Sequence, residues 1–149
     1  MKDVGLALRA AYYATLNGNI TWESAPVPFV DEKLDVNISE QDVYVIMTSQ
    51  DEEGESVSNK TKHVNETVLR MQVVNQRRAT NTKEVVENVT NQILTLLFPT
   101  RTEWNVSLSS PLNLTFAKFS GAQYNPLEKN DQGFMISKVL TFKNRITQQ

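Results

Sequence analysis

An α+β fold, a single mixed or antiparallel sheet with two amphipathic helices packed on it, is what this 149-residue sequence predicts. Three observations lead there. Apolar residues recur at helical spacing in two segments, near 3–17 and 82–98. Strand-like patterning fills the stretches between and after them. The resulting order of helix, strands, helix, strands suits one sheet with helices layered on it. At this length one domain spanning 1–149 is the expectation, large enough to bury a core.

In the first helix Asp3 is placed to cap, and Val4, Leu8, Ala11 and Thr15 form a stripe with Ala7 and Ala14 beside it. Asn17-Gly18-Asn19 supplies the stop. After Ile20-Thr21-Trp22, the alternate prolines of Ala25-Pro26-Val27-Pro28-Phe29-Val30 mark an extended, edge-type segment. Val43-Tyr44-Val45-Ile46-Met47 is apolar at every position, which predicts a central strand covered on both faces. The polar run from 50 to 63, acidic at Asp51, Glu52, Glu53 and Glu55 and basic at Lys60 and Lys62, reads as a long hairpin loop. A strand from about 64 to 77 follows, with Leu69, Met71 and Val73 on one face and Arg70, Gln72 and Gln76 on the other.

The second helix carries the clearest signals. Asn81 stands at the cap with Glu84 three residues on, and Glu84 and Glu87 complement the positive end of the helix dipole. Val85, Val86, Val89, Ile93, Leu96 and Leu97 make its apolar stripe, and Pro99 ends it. Two further strands are predicted over Leu112–Phe119 and Phe134–Phe142, the latter with Phe134, Ile136, Leu140 and Phe142 on one face. A turn-rich loop, 120–133, joins them.

Composition bounds the function. A formal charge of −2 gives no general basic footprint for nucleic acid. The absence of cysteine excludes disulfides and thiolate–metal sites. No apolar run approaches the roughly 20 residues of a membrane helix, and the start lacks the apolar core of a signal peptide. A reducing cytoplasm, or a particle assembled in one, is the expected setting. Asn-x-Ser/Thr occurs at Asn19, Asn37, Asn59, Asn65, Asn88, Asn105 and Asn113, and reads as a consequence of an Asn- and Thr-rich composition rather than as glycan sites.

Chemistry is sparse. The one histidine, His63, has no second imidazole for a metal pair, and the carboxylates of 51–55 lack the alternating ligands of a calcium loop. No glycine-rich phosphate loop is present. Arg77-Arg78 precedes the second helix, where an anion can sit, but two arginines ending a strand are more often surface charge or subunit contacts. Trp22 and Trp104 read as core or interface anchors. The expectation is a non-enzymatic protein without metal or cofactor.

The strand Val43–Ser49, the charged segment after it, the strand Thr67–Asn75 and the helix Thr82–Leu97 together resemble the tail terminator and tail-completion proteins of tailed bacteriophages. The opening helix around Leu6–Tyr13 and the proline-containing segment fit the same plan. The resemblance covers about residues 3–98 and lies in order and spacing, without signature residues. It implies a structural virion protein assembled in the bacterial host cytoplasm. Copies would close into a homo-oligomeric ring, a hexamer or dodecamer, at the head–tail junction or tail end. The ring would touch portal, connector or tail-tube proteins, and the genome would pass its lumen without specific binding. Asp51, Glu52, Glu53, Lys60, Lys62, Arg77 and Arg78 are then candidate subunit contacts. A cytosolic dimeric α+β module binding a ligand or partner is the rival reading of the same pattern.

Overall fold

The computed structural model describes residues 4–31, 42–56, 63–76, 83–126, 128–130 and 133–148; within these, 52–56, 63, 129, 130, 133 and 134 are described by backbone alone. Helix α1 (Val4–Leu16) leads into a small hairpin of β1 (Thr21–Trp22) and β2 (Ala25–Pro26), then strand β3 (Phe29–Asp31). Strands β4 (Val43–Ser56) and β5 (His63–Asn75) precede helix α2 (Lys83–Leu97). Strands β6 (Leu112–Tyr124), β7 (Glu128–Asn130) and β8 (Gly133–Gln148) follow. The main sheet runs β3-β4-β5-β8-β6, with β7 paired to the start of β8. The β3–β4 pair is parallel and the others antiparallel. The predicted α+β class, one mixed sheet bearing two helices, is what the chain adopts.

Both helices cover the same face. Leu69, Met71 and Val73 of β5 and Leu140, Phe142 and Ile146 of β8 meet Val85, Val86, Val89, Ile93 and Leu97 of α2 in one contiguous core. Those five α2 side chains are 0% exposed. Each buried side chain of this size contributes about 1.5–3 kcal/mol, so the stripe is the main attachment of α2. Leu96, expected in the stripe, is half-buried at its margin.

The first helix is rotated from its predicted face. Val4 and Leu8 are buried as expected, but the stripe continues through Tyr12 and Leu16, while Ala14 is exposed. The cause is polar chemistry that hydropathy does not see. Tyr12 is buried with its hydroxyl donating to Asn144 Oδ1 at 2.7 Å, and Arg9 is buried beside it. Burial pushes the Tyr12 phenol above its ordinary pKa, partly offset by the Asn144 hydrogen bond. The helix ends where predicted. Gly18, at φ 80°, reverses the chain just beyond Leu16, a conformation that L side chains rarely adopt.

Two predicted loops are strands. Residues 50–56 continue β4 past a register shift between Met47 and Gln50, and pair with 63–69 of β5. Acidic composition suggested solvent, yet a strand whose outer edge faces water accepts charge on that edge. Of the 50–63 loop, only residues 57–62 are not in described strand, and they lie outside the described residues. Likewise β6 runs on to Tyr124 through a second shift at Ser120, and the β7–β8 hairpin occupies much of 120–133. Val43–Met47 is covered on one face alone. Val45 and Met47 are buried, whereas Tyr44 and Ile46 stand half-buried on the face opposite the helices. The edge assignment of Phe29–Val30 matches β3.

Candidate functional site

Alternation along the strands sends one set of side chains into the core and the next to the sheet's other face. Among the described residues no helix covers that second face. Register builds it in rows. Asp51, Val68, Lys143 and Lys118 stand across β4, β5, β8 and β6. The next row places Glu66, Arg145 and Phe116 side by side. The rows frame an open groove of about 820 Å³.

Its charges are graded. Arg70 donates to Asp51 Oδ2 at 2.8 Å and to Ser49 Oγ at 3.2 Å. Arg145 reaches Glu66 Oε1 at 3.1 Å. Lys118 and Lys143 are direct cross-strand partners, and among the described residues neither is in an ion pair. Like charges directly opposite one another weaken a sheet. Phe116 lies beside them, 46% exposed. Carboxylates thus line the β4–β5 side and cations the β8–β6 side.

Two further polar clusters are structural. Arg9 grips Asp31 with Nε at 3.0 Å and Nη2 at 2.6 Å, and donates to the carbonyls of Thr48 at 3.0 Å and Met47 at 3.2 Å. It thereby ties α1 to β3 and to the irregular turn of register in β4. At the other end of the sheet, Glu87 of α2 accepts from Lys138 Nζ at 2.7 Å and from the Tyr124 hydroxyl. Lys83 and Lys138 lie 5.1 and 5.0 Å from the Tyr124 ring centroid. The Lys138 and Tyr124 hydrogen bonds hold the Glu87 carboxyl below its ordinary pKa, while burial and then Glu87 itself push the Tyr124 phenol up.

The Glu87 shift carries a sign. A carboxylate depressed on folding stabilises above its unfolded pKa and loses that contribution as pH falls through the folded value. Wild type should therefore melt above Glu87→Gln at neutral pH. The gap should narrow as the pH falls below the ordinary carboxylate range, as read by thermal melts from neutral to acid. A gap that persists unchanged in acid would assign the effect to packing instead.

Of the predicted site residues, Asp51 lies on the groove. Glu52 and Glu53 lie on β4 and are described by backbone alone, while Lys60, Lys62, Arg77 and Arg78 lie outside the described residues. Phe116, Lys118, Lys143 and Arg145 were missed by sequence reasoning. Their signal was the alternation of charge with apolar residues in β6 and β8, which converges on one groove only once register is known. Among the described residues no three His, Asp or Glu are grouped to hold a metal, and no helix is long and apolar enough to cross a membrane.

No protein-family model matches the chain, and no curated protein matches it. Among solved structures the fold is similar to that of a chain in "Virion of native gene transfer agent (GTA) particle", with a TM-score of 0.67 and 17% identity. The likeness covers 99% of this chain and 99% of that one, so the two share their fold essentially end to end.

Proposed function

We propose that this chain is a structural subunit of a phage-like virion, working by packing against copies of itself and its neighbours rather than by catalysis. The observation that carries this reading is the likeness of fold, over the whole of both chains, to a component of a gene transfer agent virion. A single sheet with one helix-covered face and one open face suits such a role, because it offers surface and edges rather than an enclosed pocket.

The finer assignment is a ring at the head–tail junction or tail end, a tail terminator or connector, assembled in the host cytoplasm. Its order of elements supports that place. In such a ring Lys60, Lys62, Arg77 and Arg78 contact protein, and the genome passes through the bore without being gripped. Each phosphate neutralised would add salt-sensitive affinity and slow transit.

Negative-stain electron microscopy and native mass spectrometry of the purified protein test this together. The expected result is a closed ring with a central channel, weakened when Arg77 and Arg78 are both replaced by alanine, and no retardation of duplex DNA near physiological salt. A plain dimer at every concentration would favour the partner-binding module.

A further inference from the structure

We infer that the outer edge of β6, centred on Phe116–Phe119, is a docking edge for an extended, acidic segment of a neighbouring protein, which joins the sheet as a further strand. The inference rests on the proposed subunit role only for the source of that neighbour. Two edges bound the main sheet, and they differ. β3 is 3 residues long, follows Pro26 and Pro28, and ends in Asp31. Short length, proline and charge are ordinary ways in which a sheet edge is protected from pairing. β6 is 13 residues long, holds no proline and carries one charge, Lys118. Beyond Leu112, among the described residues, no strand or loop backbone bonds to it from the outer side.

The side chains along this edge are those that an added strand would cover. The strand is irregular at Thr115 and at Ser120, and regular between them. Within that stretch Phe116 stands on the open face beside Arg145. Phe119 stands on the helix-covered face against Phe142, with ring centroids 5.6 Å apart. The two are 46% and 36% exposed, and they are two of the three large apolar side chains left in solvent among the described residues. A strand laid along β6 would cover one phenylalanine on each of its faces, and aromatic contacts of this kind stabilise strand pairing.

Charge chooses the occupant. Lys118 lies directly opposite Lys143 of β8, and among the described residues neither is in an ion pair. Asp51 and Glu66, on the far strands of the groove, are occupied by Arg70 and Arg145. A residue of the added strand opposite Lys118 falls on the same face and extends this row, so a carboxylate there meets a cation that nothing else neutralises. A second copy's β6 does not fit. Antiparallel pairing over the regular stretch would gather Lys118 and Lys143 of both copies on one face, where they repel. Main-chain hydrogen bonds supply the affinity, and the phenylalanines and Lys118 supply the selection, as in strand addition generally.

Short blocked peptides test the docking separately from the ring. The probe is a labelled peptide with a central glutamate among valines and threonines, titrated against the full chain at low salt by fluorescence anisotropy. It should bind at least about tenfold more tightly than the same peptide with lysine in place of glutamate, and Lys118→Glu should reverse that order. N-methylation of alternate peptide nitrogens should weaken binding at least about tenfold, since it removes main-chain hydrogen bonds. Amide hydrogen exchange should slow within Phe116–Phe119. Lys118→Gln guards against misfolding, because it should melt no lower than wild type and bind the two peptides alike. No binding by about 1 mM, or binding indifferent to N-methylation, overturns the docking. If Lys118→Gln loses duplex DNA binding and keeps the preference between peptides, the edge serves nucleic acid and the inference is again overturned. Rings of wild type with no peptide bound would remove the docking and leave the subunit role standing. Peptide binding by a protein that forms no ring would do the reverse.

Discussion

Ile93→Asp should abolish soluble, folded protein. Ile93 is 0% exposed, in the middle of the α2 stripe against β5 and β8. The substitution removes about 2 kcal/mol of burial and leaves a carboxylate in an apolar site, costing several kcal/mol more unless it is protonated. A domain of this size has about 5–15 kcal/mol of stability, so the loss approaches the whole. Soluble yield and circular dichroism read the outcome. Asn91→Asp, an exposed change two residues away on the same helix, should express and melt as wild type does. Normal melting of Ile93→Asp would overturn the role given to the α2 stripe.

Arg9→Leu should be the next most damaging change, at about 3–5 kcal/mol. The Arg9 side chain is 9% exposed and Asp31's 19%, so the pair is mostly removed from water. Leucine fills much of the volume but leaves the Thr48 and Met47 carbonyls without this donor, and Asp31 without its bidentate partner. Buried polar groups stripped of a partner incur their full desolvation penalty. Arg9→Lys keeps the charge but not the fork, and should fall between. For a domain of this length the expected drop in Tm for Arg9→Leu is about 10 °C or more. A drop of only a degree or two would show that β3 is held by its parallel pairing with β4 instead.

These two sites mark what was legible in the sequence. Helix α2 was read to within a residue at each end, because its stripe, its acidic first turn and Pro99 all agree. Helix α1 was placed correctly and turned wrongly. An arginine and a tyrosine look like solvent-facing residues until their partners, 22 and 132 positions away, are known. The strands of the core followed from alternation at Leu69, Met71 and Val73 and at Ile136, Leu140 and Phe142.

The 50–63 region failed for a different reason. Composition was allowed to decide, and an acidic stretch was read as solvated chain. Hydrogen bonding to β5 holds residues 50–56 extended whatever their charge. Ser120-Gly121 misled in the same way. Turn residues there accommodate a bulge, with Gly121 at φ 153°, and do not end the strand. The groove was the least legible feature. Lys118 and Lys143 are far apart in sequence and meet only because β8 lies between β5 and β6.

That insertion of β8 has a consequence for how the molecule comes into being. Residues 133–148 are synthesised after every other strand of the sheet, yet they occupy a position flanked on both sides. Until they leave the ribosome, β5 and β6 have no mutual partner, and Tyr12 has no Asn144 to accept its proton donor. A chain stopped before Gly133 would leave β5 with one open edge and β6 without its partner, the kind of edge that seeds aggregation. Folding is therefore dominated by contacts between distant parts of the chain, which makes it slow for a domain of this length. The groove at Lys118 and Lys143 is likewise complete only once the last strand docks, because β8 supplies Lys143.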